Sequence, residues 1–146
     1  MLLVETTVKP TPVGGLGLFA AQRLPKGTEV WKYIPGIDAT YTREQIETFP
    51  ELFLRFLFRH ASSTDGFKTY MVPIDDTRYT NHSDHPNCKT TLDGNTAYTF
   101  QNVNIGDELT LNYEEAEEMD AEDDILVQLA KKLKVDLFHP RRSNTT

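Results

Sequence analysis

Apolar and polar residues alternate over several short stretches in the first 113 residues, a pattern typical of half-buried β-strands. These stretches cover residues 2–8, 29–34, 70–74, 96–100 and 108–113. Turn-forming residues separate them, as at Gly14-Gly15, Pro25-Lys26-Gly27 and Pro35-Gly36. Many short strands with few helices predict an α+β domain that is mostly β.

Two helical segments interrupt the strand pattern between residues 42 and 60. Thr42 and Gln45 have the spacing of a capping box, which predicts that a helix begins just before Ile46. Pro50 divides this helix from a second one over Glu51 to His60. Its spacing predicts an apolar face made of Leu52, Phe53, Phe56 and Leu57.

The C-terminal part of the chain contains a third helical pattern. Ile125, Leu129 and Leu133 recur every four residues, which predicts an amphipathic helix over residues 125–137. We expect this helix to pack on the core, and the alternative is a helix that binds a partner.

Composition places the chain among globular intracellular proteins. Its 146 residues, 38% hydrophobic and 25% charged, suit one folded domain. The single cysteine, Cys88, excludes an intramolecular disulfide framework and a zinc site built from several cysteines. Residues 1–5 are too short and too soon acidic for a signal peptide, and no apolar run predicts a membrane span. We therefore expect a protein of the cytoplasm or nucleus that is not secreted.

The net charge of -7 is concentrated in one segment. Residues 114–124 contain eight acidic residues and no basic one, whereas residues 125–146 are basic. Such a chain is a poor candidate for direct binding to nucleic acid, but it could attract a basic partner. The structural alternative is a solvated helix start, because carboxylates are favourable at a helix N-terminus.

Three polar or glycine-rich clusters hold the residues that could perform chemistry. Residues 15–20 read Gly-Leu-Gly-Leu-Phe-Ala, which fits either a tight hairpin or a backbone that approaches a ligand closely. Residues 78–88 concentrate polar side chains, and His82, Asp84 and His85 among them could be metal ligands. Residues 105–113 end a strand at Tyr113, which by itself would suit a core residue as well as a catalytic one.

Together, in this order and spacing, the three clusters resemble the SET-domain protein-lysine methyltransferases. The Gly-x-Gly-Leu-Phe-Ala, Arg-x-x-Asn-His-Ser-x-x-Pro-Asn-Cys and Gly-Asp-Glu-Leu-Thr-x-x-Tyr sequences are similar to motifs of that family. The resemblance extends over about residues 14–113 and implies a catalytic domain at 1–113. Residues 114–146 would add the acidic stretch and the amphipathic helix.

The resemblance implies a fold of small curled β-sheets around a knot-like crossing, with one helical insert and a C-terminal helix. It also implies that S-adenosylmethionine and the target lysine enter from opposite faces. Tyr113 would stand at the point of methyl transfer, and Tyr33 would line the lysine channel. The cofactor site would be formed by Leu16, Gly17, Leu18, Arg78, Asn81 and His82.

The chain departs from the family pattern in ways that affect the expected site. Leu111 stands two residues before Tyr113, where an aromatic residue is usual, so we expect transfer of more than one methyl group to a lysine. The cysteine-rich segments that flank many members are missing, and no metal is expected. The C-terminal helix with Phe138, or a second copy of the chain in a homodimer, would have to close the site instead.

The predicted substrate is a lysine-containing protein, such as a histone or another basic protein, attracted by the acidic segment. The main alternative is a SET-like module that has lost catalysis and only binds basic peptides. A small metal hydrolase using His82, Asp84 and His85 is a second alternative. An acidic interaction protein without catalysis is a third, but it leaves the three ordered motifs unexplained.

Overall fold

The computed structural model describes residues 1–113 and 123–135, in which nine short strands and three helices form. The strands are β1 Thr6–Pro10, β2 Leu16–Ala20, β3 Glu29–Lys32, β4 Ala39–Thr42, β5 Thr69–Val72, β6 Asn81–His82, β7 Cys88–Thr90, β8 Thr96–Thr99 and β9 Thr110–Leu111. The helices are α1 Arg43–Glu47, α2 Glu51–His60 and α3 Ile125–Leu133, and a 3-10 turn spans Asp76–Tyr79. The predicted α+β architecture, mostly β, is confirmed.

The strands form four small sheets, none of which closes into a barrel in the described residues. Three sheets are antiparallel: β1–β2, β3–β8–β7 and β4–β5. The fourth pairs β6 with β9 in parallel, which places Asn81 opposite Thr110 and His82 opposite Leu111. This pairing brings the central and closing motifs side by side although they are distant in sequence.

The glycine-rich cluster at residues 15–20 enters strand β2 from a tight turn. Gly14 and Gly15 have φ angles of 97° and 72°, which residues with a Cβ rarely adopt. The turn folds β2 back on β1, so the hairpin interpretation is confirmed. The first strand begins at Thr6 rather than Leu2, which makes only an isolated bridge with Trp31.

Local signals placed the first two helices correctly, and in the predicted apolar face of α2 only Leu52 was wrong, since Leu57 is buried and Phe53 and Phe56 pack against the same core cluster. Thr42 and Gln45 form the reciprocal capping box at the start of α1. In α2 the buried residues are Leu54, Leu57 and Phe58, whereas Leu52 is 81% exposed. The buried Leu54, Leu57 and Phe58 have the i, i+3, i+4 spacing of a helix face that packs on the core.

Helix α3 packs against α2 and is held by a buried hydrogen-bond network at its first residue. The Tyr70 hydroxyl donates to Asp124 Oδ1 at 2.7 Å and accepts from the main-chain N–H of Ile125 at 3.1 Å. Burial and the Asp124 carboxylate raise the pKa of Tyr70, so the hydroxyl stays protonated. The predicted helix is present to Leu133, while residues 136 and 137, Phe138 and acidic residues 114–122 lie outside the described residues.

Two apolar clusters form the core. One surrounds α2 and α3, and the other fills the space between β2 and the β3–β8–β7 sheet. Ala61 belongs to the first cluster, and Trp31 and Ala97 belong to the second. In the described part of the chain, no helix is long and apolar enough to span a membrane.

Candidate functional site

The three motifs converge where β2, β6 and β9 meet. Asn81 on β6 donates from Nδ2 to the Leu16 carbonyl at 2.9 Å and to Glu108 Oε1 at 2.8 Å. One side chain therefore joins the glycine-rich strand to the closing motif. The motifs identified in the sequence form a single site in space.

His82 fixes the backbone at Tyr113. Its Nδ1 accepts a hydrogen bond from the main-chain N–H of Tyr113 at 3.2 Å, and its Nε2 lies 3.0 Å from Asp84 Oδ1. Because Nδ1 is an acceptor, Nε2 carries the proton and donates it to Asp84. Both ring nitrogens thus have protein partners, and only 12% of the side chain is exposed.

Tyr113 itself lines a cavity of about 160 Å³ between the two core clusters. Its hydroxyl donates to the carbonyl of Thr80. Its ring centroid lies 5.6 Å from that of His82. Main-chain and side-chain contacts therefore hold the tyrosine at the cavity wall.

The cavity is apolar along its walls and cationic where polar groups reach it. Trp31, Met71, Ala97 and Leu111 supply apolar surface, and Arg59 and Arg78 supply positive charge. Among the described residues, no Asp or Glu lines it. Such surroundings disfavour a further positive charge inside the cavity.

Unused hydrogen-bonding capacity in the described structure is concentrated at this cavity. Three buried side-chain polar atoms there make no hydrogen bond of good geometry: Trp31 Nε1, His60 Nδ1 and Thr77 Oγ1. The Thr77 side chain still interacts with Asp75, and His60 with the Arg78 main chain. All three residues line the cavity. Since buried polar groups are almost always paired, these atoms mark a place where a ligand or water would bind.

His60 is neutral at physiological pH in this setting. Burial lowers the pKa of His60 below its ordinary value of 6.5, a main-chain hydrogen bond at Arg78 opposes this shift, and the charges of Arg78 and Arg59 add to the lowering. The neutral ring adds no third positive charge to the cavity wall. Sequence reasoning missed His60 and Trp31, because neither lies in a motif.

Tyr33 lies in a neighbouring pocket and does not line the Tyr113 cavity. Its hydroxyl is 3.0 Å from Thr40 Oγ1, in a pocket of about 140 Å³. The two spaces adjoin, since both are bordered by Ser62, Thr64, Met71 and Gly94. The role of Tyr33 in a lysine channel therefore stays a prediction, and it concerns this neighbouring pocket rather than the Tyr113 cavity.

The glycine-rich motif contributes main chain rather than side chains. A Cβ on Gly17 would lie 2.4 Å from Glu108 Oε1, so only glycine fits there without displacing Glu108. Leu16 is 46% exposed, whereas Leu18 is 2% exposed and its carbonyl accepts from the Leu109 N–H at 2.8 Å. The roles of all three in cofactor binding remain predictions.

One glutamate and one asparagine side chain, which sequence analysis did not identify as site residues, hold the site together. Glu108 receives the hydrogen bond from Asn81 and packs over Gly17. Asn87 donates from Nδ2 to the Glu108 carbonyl at 2.8 Å and accepts from the Thr110 N–H at 3.0 Å. Both residues occur inside the quoted motifs, which was the available signal.

Metal ligation has no support in residues 1–113 and 123–135. No group of three or more His, Cys, Asp or Glu side chains there is arranged to hold a metal ion. The alternative based on His82, Asp84 and His85 also loses His82 as a ligand, because its nitrogens bind Tyr113 and Asp84.

Comparison with known structures shows the same fold in two proteins. A candidate histone methyltransferase from Plasmodium falciparum superposes with a TM-score of 0.56 and 20% identity, over 77% of this chain and 95% of that one. A humanized Polycomb Repressive Complex 2 from Chaetomium thermophilum, bound to the inhibitor GSK126, superposes with a TM-score of 0.59 and 17% identity. That match covers 82% of this chain and 16% of the other. No protein of curated function matches the sequence significantly.

A sequence profile settles the family. The SET domain profile matches residues 15–114, which is more than half of the chain and nearly the range expected from the motifs. The sheets, the β6–β9 pairing and the convergence of the three motifs agree with this match. The chain belongs to the SET domain family.

Proposed function

We propose that this protein transfers methyl groups from S-adenosylmethionine to a lysine side chain of a protein substrate. The observation that carries the proposal is the position of Tyr113. Its backbone is held by His82, its hydroxyl is held by Thr80, and its side chain lines an apolar cavity. Asn81, next to His82, ties the same point to the glycine-rich strand.

The residues where the glycine-rich and central motifs meet fit the chemistry of the cofactor. We assign its binding to the main chain of Leu16, Gly17 and Leu18 and to Arg78, Asn81 and His82. Arg78 lines the cavity, where a guanidinium could pair with the carboxylate of the amino-acid part. When bound, S-adenosylmethionine supplies the methyl group, attached to a positively charged sulfur.

The cavity favours the neutral form of the lysine, which is the form that can attack a methyl carbon. For a lysine with an ordinary pKa near 10.4, removing the proton at pH 7 costs about 4.6 kcal/mol of free energy. The apolar walls of the cavity disfavour the ammonium, and no described carboxylate lines it to stabilise that charge. A dedicated strong base is therefore unnecessary.

Tyr113 would then align the amine. Its hydroxyl donates to the Thr80 carbonyl, and the same oxygen would accept an N–H of the lysine amine. Its ring adds an apolar wall that keeps water out. Orientation of this kind can supply a large part of a rate enhancement.

The proposed substrate is a histone or another basic protein in the cytoplasm or nucleus. The acidic run 114–124 follows Tyr113 directly in the sequence. Its negative charge would attract lysine-rich segments and discourage direct binding to nucleic acid. A second copy of the chain remains a candidate for completing the site, because the described part of α3 borders neither cavity.

Removing the Glu108 carboxylate is expected to weaken cofactor binding. In Glu108→Ala, Asn81 loses one of its two partners, and Gly17 loses the group that packs over it. Loss of one such hydrogen bond predicts about a tenfold higher Kd for S-adenosylhomocysteine. Isothermal titration calorimetry measures this Kd. Glu29→Ala is the control, because Glu29 is an exposed glutamate on β3. An unchanged Kd in Glu108→Ala contradicts this assignment.

Leu111 is expected to permit more than one methyl group per lysine. It lines the cavity beside Tyr113 and has no hydroxyl that could hold a water in the space needed by a methylated amine. Mass spectrometry of a basic substrate after long incubation should show di- or trimethyllysine. A reaction that stops at one methyl group refutes the expectation.

Transfer of a radioactive methyl group tests the proposed function. Purified protein is incubated with tritiated S-adenosylmethionine and, separately, core histones and a cell extract. Labelled protein bands that depend on the enzyme support the proposal. Tight cofactor binding without labelled protein in either sample favours the non-catalytic binding module instead.

A further inference from the structure

His60 is a titratable side chain at the cavity wall that the proposed mechanism leaves unused. It is the last residue of helix α2, is half-buried, and lines the same cavity as Tyr113. Its Nδ1 atom is buried and makes no hydrogen bond of good geometry. Since buried polar atoms normally have partners, His60 is placed to interact with a group that enters the cavity.

Aromatic side chains from two elements hold the imidazole ring in place. The ring centroid of Phe56, one turn earlier on α2, lies 4.9 Å from that of His60. The ring centroid of Tyr79, in the 3-10 turn, lies 6.2 Å away in an edge-on arrangement. The position of His60 at the cavity wall is therefore fixed by packing.

The groups around His60 favour a neutral ring that can carry a proton briefly. Burial lowers the pKa of His60, an interaction with the Arg78 main chain favours the protonated ring, and the charges of Arg78 and Arg59 disfavour it. Tyr79 and Tyr113 are the other titratable groups beside it in the described structure, where no Asp or Glu lines the cavity. A neutral imidazole accepts a proton at its free lone pair, and with a pKa below 7 it returns that proton readily to water.

Methyl transfer to lysine requires that one proton leave the amine for each methyl group added. An ammonium nitrogen has no lone pair, so it cannot attack a carbon atom until one N–H bond breaks. The nitrogen then takes the methyl group together with the positive charge that the cofactor sulfur loses, so a second methyl group requires a second proton to leave. Trp31 and Leu111 favour the neutral amine by their apolar surface, but neither side chain accepts a proton.

We propose that His60 accepts the proton of the target ammonium and passes it to solvent. One N–H bond of the ammonium breaks, its electron pair stays on the amine nitrogen, and the proton binds a ring nitrogen of His60. The half-buried imidazolium then releases the proton to water, which restores the neutral ring. The transfer is direct or runs through one water, which Trp31 Nε1 would hold because that group only donates. This inference rests on the proposed function and adds the route by which the proton leaves.

Two substitutions of His60 test this route. His60→Gln keeps a polar side chain and His60→Phe keeps a ring between Phe56 and Tyr79, but neither new side chain accepts a proton at neutral pH. Each should lower kcat/KM about tenfold at pH 7, less than the roughly 100-fold or more of a typical general base, because the apolar walls already favour the neutral amine. The probe is a core-histone peptide containing the lysine that the wild type labels. The Kd for S-adenosylhomocysteine should stay within about threefold of wild type.

A substrate with a more acidic ammonium separates proton transfer from a structural effect. In thialysine, a sulfur atom replaces one methylene of the lysine side chain and lowers the pKa of the amine. With thialysine at the target position, the same peptide should lose no more than about threefold in either variant, because more of its amine is already neutral. Raising the pH should reduce the loss with the lysine peptide for the same reason.

The outcomes separate this inference from the proposed function. His85→Gln is the matched control and should change none of these quantities, because His85 is exposed and borders neither cavity. Equal losses with the lysine and thialysine peptides, or no loss in either His60 variant, overturn the proton route and leave methyl transfer standing. A wild type that methylates no lysine overturns both. Circular dichroism of each variant verifies that the fold is retained.

Discussion

The Tyr113→Phe variant is expected to transfer methyl groups about 100-fold more slowly than the wild type, or slower still. The ring would stay in place, because His82 holds the main-chain N–H of residue 113 and not the side chain. The hydroxyl is lost, and with it the acceptor that we propose aligns the amine and the donor that pairs with the Thr80 carbonyl. Initial rates with tritiated cofactor and core histones measure the effect.

Cofactor affinity distinguishes this catalytic role from a structural one. The Kd of Tyr113→Phe for S-adenosylhomocysteine should stay within about threefold of wild type, since the proposed cofactor contacts lie on β2, Arg78 and β6. Tyr98→Phe removes a tyrosine hydroxyl from β8 and serves as the control, because Tyr98 borders neither cavity. Equal losses of turnover and cofactor binding in Tyr113→Phe would argue against a role in the transfer step.

The Asn87→Ala variant is expected to lose about 2–4 kcal/mol of unfolding free energy. Asn87 is 9% exposed, and its side chain bonds the Glu108 carbonyl and the Thr110 N–H. Alanine would leave both main-chain groups without these partners next to β9. Because β9 leads directly to Tyr113, activity should fall together with stability.

Chemical denaturation monitored by Trp31 fluorescence gives the unfolding free energy. Asn104→Ala is the matched control and should stay within about 0.5 kcal/mol of wild type. Asn104 is exposed, and in the described structure only its main-chain atoms form hydrogen bonds. A loss of similar size in both variants would mean that Asn87 does not clamp the closing motif.

Local features of this fold could be predicted from the sequence. The capping box at Thr42 and Gln45 and the start of α2 after Pro50 depend on neighbouring residues, and both are confirmed. The predicted buried face of α2 was wrong only in including the exposed Leu52, and it missed Leu54 and Phe58. The i, i+3, i+4 spacing of Leu54, Leu57 and Phe58 contains the signal for this face, because the charged residues of α2 lie on another side.

Some features of the candidate site could likewise be predicted from the sequence, and others could not. Asn81, His82 and Tyr113 were found through motif resemblance, but the pairing that joins them involves two strands of two residues each, which leave no periodic signal. Segments that are far apart in sequence enclose the cavity. The buried polar atoms of Trp31, His60 and Thr77 at its wall could therefore be found only in three dimensions. The separation of Tyr33 from the Tyr113 cavity is also a property of the assembled fold.

Locating the transferred methyl group tests the central proposal most directly. Core histones are incubated with deuterium-labelled S-adenosylmethionine and the wild-type protein, digested and sequenced by tandem mass spectrometry. We predict labelled methyl groups on lysine side-chain nitrogens, and their disappearance when Tyr113→Phe replaces the wild type. Label on another residue type, or no label on any protein although the cofactor binds, would contradict lysine methylation by this site.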